Sequence, residues 1–264
     1  MRKTVLVQAG ILALLCSCLW SCKLGNDDKE VIVKVDPEIQ IGMVEKLDAI
    51  RSFRLTFTTI EPQFCSSNTF NYNSGRVGRN MSLDLFGIQE VSNCQTGPGQ
   101  VTGQTSFDFL PNGAYSLTLN LKNTVTATGQ LNVSDEKYQL DIEEGLGFAA
   151  AQTTLYRVPQ SMVWGYIGYK DAQYADEAQQ FLNEAKTRLE TLNLPKGDFG
   201  YFELDGSAKL KLANAPDYGN LTTFYGKLAE VDEANLRDFL ENYRSQYPNG
   251  EMEFKIYTWL GETL

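Results

Sequence analysis

Apolar and polar residues alternate along much of the first half of the chain. In the clearest run, every second side chain is apolar: Tyr115, Leu117, Leu119 and Leu121. Successive side chains of a strand point to opposite faces, so this period predicts strands with one buried and one solvated face. Turn-forming residues separate the runs: Pro111-Asn112-Gly113, Lys122-Asn123 and Ser134-Asp135-Glu136. Residues 38–158 are therefore predicted to form an antiparallel β-sandwich.

The pattern changes near Pro159, where amphipathic helices join the strands. Helices are predicted at 174–192 and 232–247, and strands at 162–170 and 251–259. Asp232 is the expected N-cap of the second helix. Asp205-Gly206 predicts a hairpin with a two-residue turn. The resulting order, β-α-β-β-(β)-α-β, resembles the ferredoxin-like split arrangement.

Together the two patterns predict a mainly β chain whose second half is α+β. An Ig-like β-sandwich at 38–158 is expected, followed by a ferredoxin-like domain at 159–264. A short helix is predicted at 38–50, because Met43, Val44, Leu47 and Ile50 share one side at helical spacing. Such folds host many activities, so the fold class alone names no function.

The first 21 residues have the parts of an export signal. Arg2 and Lys3 precede an apolar stretch, Val5 to Leu19, which is shorter than the about 20 residues that span a bilayer. Leu19-Trp20-Ser21-Cys22 resembles the bacterial lipobox, which implies cleavage before Cys22 and lipid on its sulfur. Cys18 offers a second, weaker copy of the motif. A plain secretory signal and a signal anchor are the alternatives.

Residues 22–37 are predicted to form a lipidated tether. The polar run 26–30 cannot bury a core and predicts a solvated spacer. It also resembles the acidic export signals of Bacteroidota surface lipoproteins. The resemblance implies an outer-membrane lipoprotein displayed at the cell surface, and a spacer on a periplasm-facing lipoprotein is the alternative.

The charge of the mature chain excludes one class of partner. Removal of residues 1–21 takes away Arg2 and Lys3 and no acid, so 21 basic residues face 33 acidic ones and the net charge is −12. Nucleic acid requires a basic surface. We therefore expect no nucleic-acid partner, and a membrane contact made through the lipid.

Two cysteines remain in the exported part after Cys22. Cys65 and Cys94 have no third thiol to pair with, so we predict that they form a disulfide. A metal site built on these two thiols would need histidine or further thiol ligands, and the chain has no histidine. No metal and no cofactor are therefore expected.

The absence of histidine also limits catalysis. It excludes Ser-His and Cys-His dyads and zinc-protease motifs. The glycine-rich segment 95–105 lacks the spacing and the lysine of a phosphate-binding loop. Carboxylate pairs, such as Glu143-Glu144 or Asp171 with Asp176 and Glu177, are the remaining route to hydrolysis. We expect no enzyme, with a carboxylate-dependent hydrolase as the least favoured alternative.

An aromatic face is predicted on the sheet of the second half. Trp164 and Tyr166 share one side of the first strand, and Tyr257 and Trp259 share one side of the last. If the aliphatic side packs on the helices, these four residues are left to bind a ligand. The alternative is that they pack against the β-sandwich as a domain interface.

These features predict a non-catalytic binding or adhesion module anchored to the outer membrane. Its ligand would be a glycan or an envelope or host protein. A structural or assembly subunit of an envelope complex is the alternative.

Replacement of the lipidated cysteine tests the anchor. Cys22→Ala should move the protein from the detergent phase to the aqueous phase, because each buried acyl methylene contributes about 0.8 kcal/mol to membrane binding. Cys18→Ala is the control and should leave partitioning unchanged. A Cys22→Ala protein that still enters the detergent phase, with processing at Cys18, would place the lipid on the other cysteine.

Overall fold

The computed structural model describes residues 35–228 and 233–264, so the signal, Cys22, most of the tether and Asp232 lie outside the described residues. Ten strands make up the first half. Their bounds are β1 Val35–Lys46, β2 Ser52–Thr59, β3 Thr69–Val77, β4 Asn80–Gln89, β5 Thr102–Phe107, β6 Gly113–Leu121, β7 Val125–Val133, β8 Lys137–Ile142, β9 Leu146–Ala150 and β10 Thr154–Tyr156.

These strands form two sheets that share one hydrophobic core. One sheet has the order β5-β2-β1-β9 and the other β10-β8-β7-β6-β4-β3. Ile41, Leu55 and Phe57 from the first sheet and Leu83 and Leu119 from the second are fully buried in the same core. Alternation of apolar residues is thus confirmed as the pattern that places one face of each sheet inside.

Two strand pairs are parallel, which the prediction of an antiparallel sandwich missed. β1 pairs in parallel with β9, and β4 with β6. Between β4 and β6 the chain crosses to the other sheet and contributes β5 there. A connection of this kind returns the chain in the same direction, whereas a tight hairpin reverses it.

The helix predicted at 38–50 is wrong, because this segment is strand β1. Ile39, Ile41 and Met43 are buried at every second position, and β1 is hydrogen-bonded to β2 on one side and β9 on the other. The segment has apolar residues both at every second position, as in a strand, and at the spacing of three or four residues that is typical of a helix. Pairing along two edges decides in favour of the strand, since tertiary context overrides a local helical pattern.

Cys65 and Cys94 form the predicted disulfide. Their Cα atoms are 5.7 Å apart, and the bond joins the segment after β2 to the segment after β4. Closure of a loop with a sequence separation of 29 residues is worth about 3.6 kcal/mol in the chain-entropy model. The bond therefore fixes two long connections that have little regular structure of their own.

The second half adds seven short or medium strands and two helices. Their bounds are β11 Met162–Tyr169, α1 Ala175–Arg188, β12 Leu189–Glu190, β13 Gly197–Asp198, β14 Phe202–Leu204, β15 Leu210–Leu212, β16 Asn220–Leu228, α2 Glu233–Gln246 and β17 Met252–Thr258. Helix α1 ends earlier than predicted, because Leu189 is extended and pairs with Leu228 of β16. The described chain is therefore β-rich with an α+β second half.

The main sheet of this half has the order β12-β16-β11-β17, and every pairing is antiparallel. Both helices pack on one face, where Val163, Ile167 and Phe254 contact Phe181 and Leu240 in one core. The aliphatic side of the first and last strands therefore faces the helices, as the sequence predicts.

A small sheet, β13-β14-β15, lies between β12 and β16 in the chain. The hairpin predicted at Asp205-Gly206 is present, but Leu204 pairs with Leu210, so its loop is longer than two residues. The Asp205 carboxylate accepts hydrogen bonds from the backbone N–H groups of Ser207 and Lys209. These bonds stabilise the longer turn, since aspartate readily mimics a backbone turn in this way.

A buried ion cluster joins the two halves. The Glu45 side chain is only 2% exposed and accepts hydrogen bonds from Arg157 Nε at 2.8 Å, Arg51 at 3.2 Å and the Tyr138 hydroxyl at 3.0 Å. Arg51 also donates to the carbonyl oxygens of Val158 and Trp259. Since these partners come from both halves, the described residues belong to one compact unit.

Burial shifts the pKa of two side chains in this cluster, Arg51 and Tyr138. It lowers the pKa of the Arg51 guanidinium, an effect that the neighbouring Glu45 carboxylate opposes. Burial also raises the pKa of Tyr138, and the adjacent Glu45 carboxylate adds to the rise. The tyrosine is therefore a neutral donor to Glu45 across the physiological pH range.

Truncation of Glu45 tests how much the cluster contributes to the free energy of unfolding. Glu45→Ala leaves two partly buried guanidinium groups, with side chains 13% and 16% exposed, without their carboxylate, and it should lower the free energy of unfolding by about 3 kcal/mol. Glu241→Ala is the control, because it breaks an exposed helical pair with Arg244 and should cost about 0.5 kcal/mol or less. Urea unfolding measures both, and equal losses would show that the cluster does not stabilise the fold.

Candidate binding cleft

The aromatic face predicted on the second sheet is covered in the structure. Trp164 is 1% exposed and Tyr166 2% exposed. The Trp164 ring lies 5.2 Å from that of Phe202 and 6.0 Å from that of Tyr201, measured between centroids. The small sheet β13-β14-β15 therefore packs over this face.

Burial excludes the predicted ligand contacts at Trp164 and Tyr166. The alternative, packing against the β-sandwich, accounts for only part of the covering, since Leu47 and Val158 contribute while most contacts come from 199–212. Periodicity identifies which face of a strand is apolar, but it does not identify what covers that face. An insertion of short strands carries no strong periodic signal of its own.

Tyr257 and Trp259 remain partly exposed at the border of this core. The Trp259 ring lies under the Arg51 guanidinium at 5.5 Å, and its carbonyl accepts from the same group. The Tyr166 hydroxyl donates to Glu253 at 2.9 Å. Burial raises the pKa of Tyr166, and this hydrogen bond adds to the rise. Structural partners thus engage Tyr166 and Trp259.

An open cleft lies instead at one end of the first two sheets, which we call the strand-end cleft. Its volume is about 520 Å³. It is lined by Asp36, Pro37, Glu38, Ile39, Thr59, Glu61, Gln63, Phe70, Leu85, Gly87, Ile88, Leu121 and Lys122. Apolar side chains form its floor and charged side chains its rim.

Two bulges open the sheets at this end. Between Val35 and Ile39, β1 advances four residues while β9 advances two, from Leu146 to Phe148. Pro37 lies within this irregular stretch and has no N–H to offer a neighbouring strand. Local disruption of the ladder between β1 and β9 bends β1 away from β9. This bend opens the space that forms the cleft.

The second bulge is in β4, on the opposite wall. Asn71 pairs with Gly87 and Tyr72 with Leu85, so Phe86 is the extra residue. Gly87 has φ +155°, a conformation that L side chains rarely adopt. The extra residue shifts the alternation, so that Leu85 and Ile88 both line the cleft while Phe86 is exposed.

The disulfide-linked segments form the third wall. Gln63 and Gly99 exchange backbone hydrogen bonds of 2.8 and 3.0 Å, and Ser66 N–H donates to the Gly97 carbonyl. The bond between Cys65 and Cys94 closes the same pair of segments. Gln63 and Glu61 are therefore held against the cleft by covalent and backbone bonds.

The rim carries more negative than positive charge. Lys122 Nζ contacts Glu38 Oε2 at 2.7 Å, and both side chains are about half exposed. Asp36 and Glu61 are exposed and form no ion pair within the described residues. Among the described residues, the charges at the rim are thus one ion pair, between Lys122 and Glu38, and two carboxylates that form no ion pair, those of Asp36 and Glu61.

Lys122 lies in the hairpin turn between β6 and β7. It has φ +52° and Asn123 has φ +55°, and Thr124 N–H donates to the Leu121 carbonyl. Positive φ at both central residues is the geometry that a tight hairpin turn requires. The turn places the lysine on the cleft rim.

The two sets of carboxylates considered for hydrolysis lie in different halves of the chain. Glu143 accepts from the Thr128 hydroxyl on the first half, whereas Asp171 caps the short 3₁₀ turn before α1 and Asp176 lies on α1. In the part of the chain that the structure describes, no group of three carboxylates or thiols could hold a metal ion. Over the same residues, no helix is both long and apolar enough to span a bilayer.

Sequence reasoning missed the cleft altogether. Its residues come from five strands and from the connections that follow two of them, which no local motif brings together. Two signals could have pointed to it: a proline inside the apolar-alternating segment 35–46, and a break of alternation at Phe86-Gly87. Both are typical of bulges.

No protein-family model, no curated protein and no solved structure matches this chain.

Truncation of the buried tryptophan tests the packing role of the aromatic face. Trp164→Ala should lower the free energy of unfolding by about 3–5 kcal/mol, because it removes the largest ring of this core. Phe64→Ala is the control: its side chain is 84% exposed, so the change should stay within about 0.5 kcal/mol. A Trp164→Ala protein as stable as the control would contradict the packing role.

Proposed function

We propose that this protein is an outer-membrane lipoprotein that acts, without catalysis, as a binding module, and that the strand-end cleft is its binding site. The observation that carries the proposal is the cleft itself: an open, apolar-floored recess of about 520 Å³ walled by two bulged sheets and a disulfide-linked pair of segments. Ligand sites in proteins are typically recesses of about 300–1,000 Å³ with apolar floors and a few polar groups.

Rigid walls support a binding role. In each bulged strand, the residues before and after the bulge are paired with a neighbouring strand. The disulfide closes the third wall covalently. A preformed recess loses little conformational entropy when a ligand enters, and this favours affinity. Binding sites are commonly held by loops on such a scaffold.

Anchoring at the outer membrane rests on the sequence. The apolar stretch from Val5 to Leu19 ends at the lipobox-like Leu19-Trp20-Ser21-Cys22, and an acidic run follows. Display at the cell surface would offer the cleft to a glycan or to an envelope or host protein. The net charge of −12 in the mature chain, taken as residues 22–264, argues against nucleic acid as the ligand.

The arrangement of both halves also supports a finer fold proposal. We propose that the second half is a ferredoxin-like domain with the small sheet β13-β14-β15 inserted, and the order β12-β16-β11-β17 supports this, since it is the order expected of a split βαββαβ sheet. The first half is proposed as a two-layer β-sandwich. Its two parallel strand pairs depart from the purely antiparallel sheets of an Ig-like sandwich.

A variant that fills the cleft tests the proposed function. Ile88→Trp replaces an aliphatic side chain of the cleft wall with a bulky indole ring. Phe86→Trp enlarges the neighbouring exposed side chain and is the matched control. The mature chain with Cys22→Ser would be screened on glycan and peptide arrays. We expect ligand signals to fall to background with Ile88→Trp and to persist with Phe86→Trp.

Two results would contradict this proposal. Array binding that is equal in both variants would place the ligand elsewhere on the protein. Stoichiometric capture of one envelope partner that both variants retain, with no array binding, would favour a structural or assembly subunit. Unfolding curves of the two variants show whether either substitution has disturbed the fold.

A further inference from the structure

The geometry of the strand-end cleft points to a specific chemical class of ligand: we propose that it binds a small molecule that joins a primary amine to an apolar chain. The inference rests on the proposed function, since it names the ligand of the same cleft. It follows from three properties of the lining: an apolar floor, a shortage of free polar groups within it, and unpaired carboxylates at the rim.

The floor is built from buried apolar side chains. Ile39, Phe70, Leu85 and Leu121 are each at most 9% exposed and line the cleft from both sheets. Burial of apolar surface contributes about 25 cal/mol per Å² removed from water. A ligand must therefore bring an apolar part to gain affinity here.

Few polar groups are free inside the cleft. Thr59 is 3% exposed, and its hydroxyl oxygen already accepts a hydrogen bond from Val101 N–H at 3.1 Å. The Gln63 side chain donates to the carbonyl of Glu61. A ligand with many hydroxyl groups would lose its hydrogen bonds to water without replacement, and this costs free energy. The part of a ligand that lies on the floor is thus better an alkyl chain than a sugar ring, and a glycan or protein ligand would have to bring an apolar group there.

The charges at the rim determine which sign of charge the ligand should carry. Asp36 and Glu61 are exposed, and neither forms an ion pair with another of the described residues, 35–228 and 233–264. Among the described lining residues the cation is Lys122, and it is already paired with Glu38 at 2.7 Å. An anionic ligand would have to break that pair and would also meet the two carboxylates. Charge complementarity therefore favours an ammonium group.

A series of three eight-carbon compounds tests this class. Octylamine, 1-octanol and octanoate share one chain and differ in the charge of the head group. Binding to the mature chain with Cys22→Ser would be measured by calorimetry. We expect octylamine to bind saturably with one site, octanol to bind more weakly, and octanoate to bind most weakly. Octylamine affinity should also fall as the Debye length shortens from about 30 Å at 0.01 M salt to about 8 Å at 0.15 M.

Paired variants locate the effect at the rim. Asp36→Asn with Glu61→Gln should weaken octylamine binding by about two- to fivefold for each carboxylate, as exposed ion pairs do. Asp141→Asn with Glu144→Gln removes the same charge from exposed positions outside the cleft lining and should leave affinity unchanged. Octanol binding should be the same in both double variants.

The outcomes separate the ligand class from the cleft itself. Equal binding of all three compounds, lost with Ile88→Trp, would overturn the amine preference and leave the cleft as a binding site. Octylamine binding that resists both Ile88→Trp and the rim variant would overturn the inference, because the amine would then bind elsewhere. Absence of saturable octylamine binding to the folded protein would also overturn it.

Discussion

The buried carboxylate of Glu45 is the interaction on which the shape of this molecule depends. It is near the end of β1, yet its partners come from the loop before β2, from β8 and from the segment after β10. Tyr201 of the second half donates to the Glu45 carbonyl and accepts from Leu47 N–H. A charge removed from water is costly unless each partner is in place. One residue, through its carboxylate and its backbone carbonyl, therefore couples the end of the first half to the position of the small sheet that covers Trp164.

Sequence reasoning gave the element types of this chain better than its sites. Alternation at 115–121 predicted strand and buried face correctly, because period two is a local property of the backbone. Pairing of Cys65 with Cys94 was predictable because the sequence has no other cysteine after Cys22. Strand β1 was mistaken for a helix, since its apolar residues fit both periods and only pairing with β2 and β9 decides between them. The burial of Trp164 and the cleft at Pro37 and Ile88 depend on contacts between distant segments, which periodicity does not encode.

The cleft exists where the regular structure is interrupted. A straight β1 and an unbulged β4 would close the ends of the two sheets over a continuous core. Interruption there leaves Leu85 and Ile88 on the same wall and removes ladder hydrogen bonds that the rest of the sheet retains. The register shifts of β1 and β4 both lie around this recess, and β-bulges are over-represented next to active sites.

The disulfide has a consequence for where the recess can be complete. Cys65 and Cys94 close the wall that carries Glu61 and Gln63, and this bond forms only in an oxidising compartment. In the reducing cytoplasm the two connections would keep the backbone bonds between Gln63 and Gly99 but lose the covalent link. On the proposed lipoprotein route, the wall that carries Glu61 and Gln63 would gain its covalent link only after export. The recess would then be covalently closed only in the compartment where the protein is proposed to act.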